Sequence, residues 1–403
     1  MKGYLVILAV AAGVTLATTP IVRAIALRAG LVSMPGDRHV HVRPTPVLGG
    51  AAMFLGFLAA MGVASQMTQF DEMFRGSSEP LGIILGAGAM FLVGLVDDVR
   101  EVSPPAKIAG QVLAGGLLSL FGVSMFYFRV PFLSSDFVVL APDLAPLITV
   151  LWVILMANAL NLIDGLDGLA AGITIIAGAA LFLYADRLFK AGLLEGSNVA
   201  PLIAIIAVGV CAGFLPYNFN PAKIFMGDSG ALFLGLLLAT TTITIGGRTA
   251  DQFSGQTYFF FAPLLIPVLI LGVPVVDFVF SVIRRLIHRQ SISVADTGHL
   301  HHRLMRLGHG PRRSVVILWA WTAILSAVVL WPTYTNRGNA LVPLAVVALA
   351  LLLYVFFHPG RREAREELAA LEMDAALDAA AEEPEPAPAP VVDLEARRKA
   401  SGK

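Results

Sequence analysis

The chain has 403 residues, of which 57% are hydrophobic and 14% are charged, and its formal net charge at pH 7 is zero. A soluble protein of this length needs more charged residues to cover its surface, so the composition excludes an ordinary soluble protein. The neutral balance gives no indication of a nucleic-acid partner, and the single cysteine, Cys211, excludes both an internal disulfide and a thiolate metal site.

Eleven uncharged, mostly apolar windows follow one another along the chain. Most are close to the roughly 20 residues that a helix needs to cross a bilayer, and a helix satisfies its own backbone hydrogen bonds in lipid. We therefore predict an all-α polytopic integral membrane protein with about eleven transmembrane helices. The windows are 3–22, 44–70, 80–96, 108–128, 144–163, 168–185, 196–222, 229–247, 252–276, 314–336 and 338–360.

The charges in the loops predict the orientation. When the loops are numbered alternately, one side collects fourteen Lys and Arg residues and the other collects seven. Because positively charged loops stay in the cytoplasm, the N-terminus is predicted to lie outside and the C-terminus inside. The last residues are rich in charge, Pro and Ala and cannot pack a core, which divides the chain into a transmembrane domain (1–358) and a mobile cytoplasmic tail (359–403).

Five polar segments interrupt the apolar sequence, and all of them fall on the predicted cytoplasmic side. In chain order they are RHVHVRPTPVLGG (38–50), GLVDDVREVSPPAK (94–107), NALNLIDGLDG (158–168), FNPAKIFMGDSG (219–230) and TGHLHHRLMRLGHG (297–310). A transporter is expected to place polar groups near mid-membrane on broken, repeated helices. The one-sided arrangement favours an enzyme that takes one substrate from the cytoplasm and another from the lipid, with a carrier of lipid-linked or nucleotide sugars as the alternative.

The second segment ends a predicted span with two adjacent carboxylates, Asp97 and Asp98. Neighbouring carboxylates repel each other and are best tolerated where a cation or a proton is shared. The alternative interpretation is a simple stop signal at the end of the helix.

The third segment carries four polar residues spaced by three: Asn158, Asn161, Asp164 and Asp167. In an unbroken helix the first and last of these would lie on opposite sides. The glycines at 165 and 168 predict a break between two spans, which would let several of the four side chains converge. The alternative is that the Asp residues cap helices and the Asn residues bond between helices.

The fourth and fifth segments add possible ligands. Asp228 begins another predicted span within MGDSG, where it is either a helix cap or a functional group.

Carboxylate and amide oxygens together suit Mg²⁺, which takes few protein ligands plus substrate phosphates, and Lys107 and Arg285 offer positive charge to phosphate. The histidines of the cluster HLHH could bind zinc, although no cysteine accompanies them. They could equally donate hydrogen bonds to a phosphate or be ordinary residues at the membrane interface. Asp277, in the apolar stretch GVPVVDFVFSVIRRL, is a further candidate outside this main set, and the alternative is a simple ion pair with Arg284 or Arg285.

Together these motifs resemble the polyprenyl-phosphate N-acetylhexosamine-1-phosphate transferase superfamily (glycosyltransferase family 4), whose members have ten or eleven spans. The resemblance rests on DDVREVSPPAK, NALNLIDGLDGLAAG, NPAKIFMGDSGALFLG, and RRL followed by GHLHHRL, and it covers residues 1–358, which it implies are the catalytic domain. HVRPTPVLGG and HLHHRL look more like the undecaprenyl-phosphate GlcNAc-1-phosphate transferase branch than the muramoyl-pentapeptide branch, which typically has three consecutive histidines.

The resemblance implies transfer of a sugar 1-phosphate, most closely GlcNAc 1-phosphate, from a UDP-sugar to undecaprenyl or another polyprenyl phosphate in the inner leaflet. UMP would be released at the cytoplasmic face of a bacterial inner membrane, where the reaction would start cell-envelope glycan assembly. UDP-MurNAc-pentapeptide is the alternative donor. Direct attack by the acceptor is favoured, and a covalent route through an Asp remains open. Small-residue spacings such as GIILG permit a homodimer.

By residue, the resemblance implies that Asn161 and Asp228 bind Mg²⁺, with Mn²⁺ as an alternative ion. Asp97, Asp98 and Lys107 match catalytic positions, with Asp97 as the base near the acceptor phosphate. The implied substrate-binding residues are Arg43, Asn158, Asp164, Asp167, Arg285, His299, His301 and His302. This chain has SISVADTG where the family often has Ser-Pro-Phe-Ser-Pro-Asp before the histidines, which leaves the loop's shape and the sugar selectivity open.

Overall fold

The computed structural model of the chain describes residues 1–34, 44–100, 102–125, 127–128, 138–246, 271–287, 303–305, 307–335 and 341–357. Within these residues the chain is built mainly of helices. In chain order they are α1 (Lys2–Arg28), α2 (Gly49–Ala64), α3 (Asp71–Gly76), α4 (Glu79–Val99), α5 (Pro104–Leu120), α6 (Leu144–Ile163), α7 (Leu169–Lys190), α8 (Ala200–Asn218), α9 (Gly227–Gly246), α10 (Gly272–Ile287), α11 (Pro311–Thr335) and α12 (Leu341–Phe357).

Seven of the described helices are long and apolar enough to cross a bilayer. The number becomes eight if α2 and the segment 68–76, which are bent by 90° relative to each other, count as one broken span. This confirms the prediction of an all-α, multi-pass membrane protein, whereas the count of about eleven and the orientation stay predictions. Most of the predicted window 252–276 and the whole of the predicted tail, 359–403, lie outside the described residues.

α9 is the central helix of the bundle. It is apolar on all sides, it packs against α2, α4, α6 and α8, and 94% of its apolar window is buried. Two glycines permit close approach to its neighbours. A Cβ at Gly94 of α4 would lie 2.4 Å from the Cα of Ser229, and a Cβ at Gly235 would lie 2.5 Å from the Cα of Ala157 in α6. These contacts hold α9 tightly between α4 and α6.

A break separates α6 from α7. α6 ends at Ile163 and α7 begins at Leu169, and between them Gly168 has a φ of +77°, a conformation that glycine adopts without steric cost. The predicted break is therefore confirmed, and Asp164 and Asp167 both lie in the turn.

The remaining secondary structure consists of short antiparallel strand pairs, β1 (Val32–Ser33) with β2 (Thr45–Pro46) and β3 (Tyr127–Phe128) with β4 (Val138–Val139). The segment that starts at β2 lies against the loop in front of α9. Phe225 N donates to the carbonyl of Pro46 at 2.9 Å, and the N–H groups of Gly49 and Gly50 donate to the carbonyls of Phe225 and Met226 at 2.9 and 2.8 Å. The sequence TPVLGG thus holds the chain that leads into α9.

Candidate active site

Four helix ends meet at one end of the bundle and bring predicted site residues together. Asp97 and Asp98 lie at the C-terminal end of α4, Lys107 lies in the first turn of α5, Asn161 in the last turn of α6, and Asp228 in the first turn of α9. Helices that run in opposite directions must alternate their termini, so residues far apart in sequence share this end. Asn161 of α6 and Asp228 of α9, which the family resemblance assigns to one metal site, are therefore neighbours, whereas Asn158 and Asp167 have other partners.

Asp228 is the centre of the arrangement. Its Oδ1 accepts a hydrogen bond from the Asn161 side-chain amide at 2.8 Å, and its Oδ2 contacts the Lys107 ammonium. The ammonium also lies 3.0 Å from Oδ2 of Asp97, so that one cation joins the two carboxylates. The side chains of Lys107 and Asp97 are each 18% exposed and that of Asp228 is 28% exposed, which leaves the group open to a ligand from one side.

The two adjacent carboxylates of α4 have different partners. Asp97 uses one oxygen for Lys107 and accepts a hydrogen bond from the backbone N–H of Val102 at 2.8 Å with the other. Lys107 therefore compensates the charge of Asp97, which reduces the repulsion between Asp97 and the adjacent Asp98.

Asp98 is directed at the N-terminus of α9. Its Oδ1 accepts from the backbone N–H of Asp228 at 2.7 Å, and its Oδ2 accepts from the N–H and the hydroxyl of Ser229 at 3.1 and 2.6 Å. A carboxylate is stabilised there because the first N–H groups of a helix have no partners within the helix. Gly227, with a φ of +70°, leaves the necessary space, since a Cβ would lie 2.5 Å from an Asp98 oxygen.

Asp164 is a half-buried carboxylate to which no described residue donates a hydrogen bond. Burial raises its pKa well above the usual range for an aspartate, and the negative charges of Asp228, Asp98 and Asp167 raise it further. A carboxylate that is surrounded by other carboxylates in this way gains most from a nearby cation.

Asp167 contacts the loop between α8 and α9. Its Oδ2 accepts from the Asn220 side chain and from the backbone N–H of Ala222, each at 2.9 Å. Asn220 in turn accepts from Nε of Arg312 at 3.0 Å. In the same loop, the side chain of Asn218 bridges the backbone of Gly168 and Ile224 at 3.0 and 3.1 Å. These contacts fix the loop that leads to Asp228, and the predicted substrate-binding role of Asp167 stays a prediction.

The other predicted residues fall into two groups. Asn158 is bonded to Gln111 of α5 one turn away from Asn161, and Arg285 is a buried residue of α10, a helix that packs against α6. The remaining four lie outside the described residues, and they are Arg43, His299, His301 and His302.

Sequence reasoning missed Gln111, Asn218, Asn220 and Ser229 as members of this arrangement. The only available signal was their position within or beside the polar motifs, and the contacts themselves depend on which helix ends become neighbours. Ser229 in particular follows Asp228 directly, and its importance becomes visible only with Asp98 opposite.

The donor set fits a hard divalent cation. The described residues contain no group of three or more His, Cys, Asp or Glu side chains that could hold a metal. Mg²⁺ does not need such a group, because it usually keeps several waters and binds one or two carboxylates plus substrate phosphates. Asp228, the amide oxygen of Asn161 and the carboxylate of Asp164 would be oxygen ligands of that kind.

The fold and this site define a multi-pass membrane protein with a polar, carboxylate-rich site at one end of its helix bundle. Comparison with known proteins shows that the family model for glycosyl transferase family 4 matches residues 80–246, which run from the second residue of α4 to the end of α9. Together with relatives that are at least 35% identical over most of the chain, this match shows that the chain belongs to the family, and the resemblance to polyprenyl-phosphate N-acetylhexosamine-1-phosphate transferases is confirmed.

Three relatives illustrate the similarity. Decaprenyl-phosphate N-acetylglucosaminephosphotransferase from Mycobacterium tuberculosis is 35% identical over 349 residues, which are 84% of this chain and 85% of the relative. The probable undecaprenyl-phosphate N-acetylglucosaminyl 1-phosphate transferase of Bacillus subtilis is 36% identical over 315 residues, 77% of this chain and 80% of the relative. The undecaprenyl-phosphate alpha-N-acetylglucosaminyl 1-phosphate transferase of Escherichia coli O157:H7 is 25% identical over 344 residues, 82% of this chain and 84% of the relative.

Proposed function

We propose that the chain transfers N-acetylglucosamine 1-phosphate from UDP-GlcNAc to a polyprenyl phosphate, with release of UMP. The observation that carries the proposal is Asp228 held between Lys107 and Asn161 at the shared end of α5, α6 and α9. The similarity to transferases named for decaprenyl and undecaprenyl phosphate supports the same conclusion.

In the proposed reaction, an oxygen of the acceptor phosphate attacks the phosphorus that carries the sugar. A new phosphorus–oxygen bond forms, the bond to the oxygen of UMP breaks, and UMP leaves with the electron pair. The acceptor phosphate is already largely ionised near neutral pH, so little proton abstraction is needed. The main barrier is the repulsion between two anionic phosphates, which a nearby ammonium such as that of Lys107 reduces.

Direct attack is favoured over a covalent aspartyl intermediate. Each oxygen of Asp97, Asp98 and Asp228 already accepts a hydrogen bond or contacts the Lys107 ammonium. Direct attack needs only that the two phosphates are positioned and their charge is neutralised, whereas the covalent route adds a second transfer step. In the proposed roles, Asp97 takes up any remaining acceptor proton and Lys107 contacts a phosphate.

The residues present suit Mg²⁺, or Mn²⁺ in its place. Asp228 and the amide oxygen of Asn161 would hold the ion, with Asp164 beside them. When bound, such an ion supplies positive charge that offsets the repulsion of the phosphates and the charge that develops on the leaving UMP. The proposed roles of Arg43, Arg285 and the three histidines in binding the donor belong to the same proposal.

The proposal places the site on the cytoplasmic face of a bacterial inner membrane, with the acceptor drawn from the inner leaflet. The site lies at one end of the bundle, where a water-soluble donor and the headgroup of a lipid are both accessible. The positive charge of the loops at that end supports the cytoplasmic orientation. A homodimer is compatible with the sequence, and no step of the reaction requires it.

The test uses purified full-length protein in detergent with a polyprenyl phosphate, Mg²⁺ and UDP-GlcNAc labelled in the sugar. We expect labelled lipid and UMP in equal amounts, loss of both on addition of EDTA, and recovery with excess Mg²⁺. UDP-MurNAc-pentapeptide is tested in parallel as a donor. Turnover of that donor alone would show that the chain belongs to the muramoyl-pentapeptide branch. If neither lipid product nor UMP forms, but a nucleotide sugar enters sealed vesicles and still does so with Asp97→Asn and Asp228→Asn, the chain is a carrier.

A further inference from the structure

Gln111 and Asn158 form an amide pair between α5 and α6. Nδ2 of Asn158 donates to Oε1 of Gln111 at 2.7 Å and also to the carbonyl of Ile154 at 2.8 Å. In return, Nε2 of Gln111 lies 3.4 Å from Oδ1 of Asn158. Gln111 is fully buried although both neighbouring helices are largely apolar. A buried amide of this kind is retained only where its hydrogen bonds are satisfied.

The pair lies one helical turn further into the bundle than the site. Gln111 follows Lys107 by four residues on α5, and Asn158 precedes Asn161 by three on α6. α5 runs away from the site and α6 runs towards it. Lys107 and Asn161 therefore lie at the site, and the amide pair joins the same two helices one turn further from it. Lys107 and Asn161 are the residues that contact the two oxygens of Asp228.

We propose that the Gln111–Asn158 pair is a positioning element that fixes the register of α5 against α6, so that Lys107 and Asn161 reach Asp228 together. A slip of one residue along either helix would move its side chains by about 1.5 Å and turn them by about 100°. Misplacement of catalytic groups by about 1 Å can reduce a rate by ~10²-fold. A buried polar pair can specify the register of two helices, because its amides are satisfied only where they meet.

The inference rests on the proposed function for its effect on catalysis, and it gives Asn158 a different role from the substrate contact that the family resemblance implies. A substrate contact predicts that Asn158 acts independently of Gln111. A positioning pair predicts that the two residues act as one unit.

The first experiment is a double-mutant cycle in the transfer assay. Gln111→Met keeps the length of the side chain and Asn158→Leu keeps its branching, and both remove the amide. We expect each variant to lower kcat by at least ~10-fold with little change in the KM for UDP-GlcNAc, and the double variant to lose no more than the worse single variant. The exchange Gln111→Asn with Asn158→Gln is expected to recover part of kcat, because the two amides can meet again.

The matched control is Thr242→Val. Trp152, also on α6, donates from Nε1 to Oγ1 of Thr242 on α9 at 2.8 Å, in the half of the bundle away from the site. Valine keeps the shape and removes this interhelical hydrogen bond. We expect it to lower thermal stability about as much as Gln111→Met does while kcat stays near that of the unmodified protein. If Gln111→Met and Thr242→Val lowered kcat equally, the amide pair would contribute only to overall stability, and the proposal would be overturned.

A second readout does not depend on transfer. Lys107→Cys with Asn161→Cys allows a short bifunctional maleimide to report the register of α5 and α6, because native Cys211 is buried. We expect the cross-linked fraction to fall when Gln111→Met is added and to stay unchanged with Thr242→Val. Unchanged cross-linking with Gln111→Met, or an additive double-mutant cycle with a raised KM in Asn158→Leu, would overturn the inference even if the unmodified protein is active. If the unmodified protein makes no product while the cross-linking changes as expected, the proposed function fails and the positioning pair stands.

Discussion

Asp228 contacts three other residues of the site. Its side chain contacts Lys107 and Asn161, and its backbone N–H donates to Asp98. We expect Asp228→Ala to lower turnover by at least ~10³-fold, because it removes both a proposed metal ligand and the partner of Lys107. Expression is expected to stay near normal, since the residue lies at an accessible end of the bundle. The measurement is the transfer assay alongside the amount of protein extracted from membranes.

The matched control for this substitution is Asp71→Ala. Asp71 is also in the first turn of a helix, and it forms an exposed ion pair with Arg75 at 3.7 Å. Exposed pairs of this kind contribute little to stability, so turnover should be unaffected. Substantial activity in Asp228→Ala would contradict the proposed site.

Asp98 allows a second prediction at the level of single residues. Asp98→Ala removes the acceptor of three hydrogen bonds at the start of α9, and we expect a loss of stability of ~1–2 kcal/mol together with a fall in turnover. Ser229→Ala removes one of the three, so a loss of ~1 kcal/mol and a smaller fall in turnover are expected. Thermal unfolding in detergent and the transfer assay, measured on the same preparations, test the correlation.

Ser65→Ala is the control for the loss of a serine hydroxyl. The Ser65 hydroxyl donates to the carbonyl of Gly62 at 2.8 Å and accepts from Nε2 of Gln66 at 3.4 Å, both at an exposed helix end. If Asp98→Ala abolished turnover without lowering stability while Ser229→Ala had no effect, Asp98 would act directly on a substrate, as the family resemblance implies.

Some contacts of these site residues could be predicted from the sequence and others could not. Asn161 and Asp228 could be brought together from the sequence, because each lies where a predicted span meets the same side of the membrane. The partner of Asp98 could not, since it depends on the distance between the end of α4 and the start of α9. Gly94 sets that distance, and nothing in the sequence identifies it among the other glycines of the spans.

Among the helices, the contact between α4 and α9 leaves no room for a larger side chain at Gly94. A Cβ at Gly94 would lie 2.4 Å from both the Cα and the N of Ser229. Gly94→Ala must therefore push α9 away from α4 and displace Asp228 from Lys107 and Asn161. We expect turnover to fall by ~10²-fold and stability to fall by ~1–3 kcal/mol.

Gly88→Ala is the matched control on the same helix. A Cβ there would meet only the Cζ of Phe54, at an ordinary contact distance of 3.7 Å. The exchange should leave turnover unchanged and slightly raise stability, because alanine favours a helix more than glycine. Equal effects of the two substitutions would show that the loss arises from helix α4 in general and not from its approach to α9.

The elements were predictable to different degrees. The break between α6 and α7 followed from two glycines among closely spaced polar residues, and the structure has it between Ile163 and Leu169. The role of Asp167 in holding the loop before α9 was not predictable, because Asn220 and Ala222 are more than fifty residues away along the chain. Hydropathy identifies the apolar helices, whereas the long-range hydrogen bonds at their ends depend on how those helices pack.

For the whole molecule, the asymmetry of charge and the position of the site make one combined prediction about orientation. The carboxylates, Lys107 and the loop that leads into α9 lie at one end of the bundle, and the turn between α7 and α8 lies at the other. The excess of Lys and Arg at the site end predicts that this end faces the cytoplasm. A UDP-sugar is made in the cytoplasm, so the proposed reaction requires the same orientation.

Two single-cysteine substitutions test it. Lys223 is exposed in the loop at the site end and Glu195 is exposed in the turn at the opposite end, while native Cys211 is buried and should not react. In sealed right-side-out vesicles, a membrane-impermeant maleimide is expected to label Glu195→Cys at once and Lys223→Cys only after permeabilisation. The unmodified protein measures the background, and the transfer assay confirms that both variants are folded. The reverse labelling pattern would place the site on the outer face, away from any cytoplasmic nucleotide sugar, and the proposed reaction could not take place there.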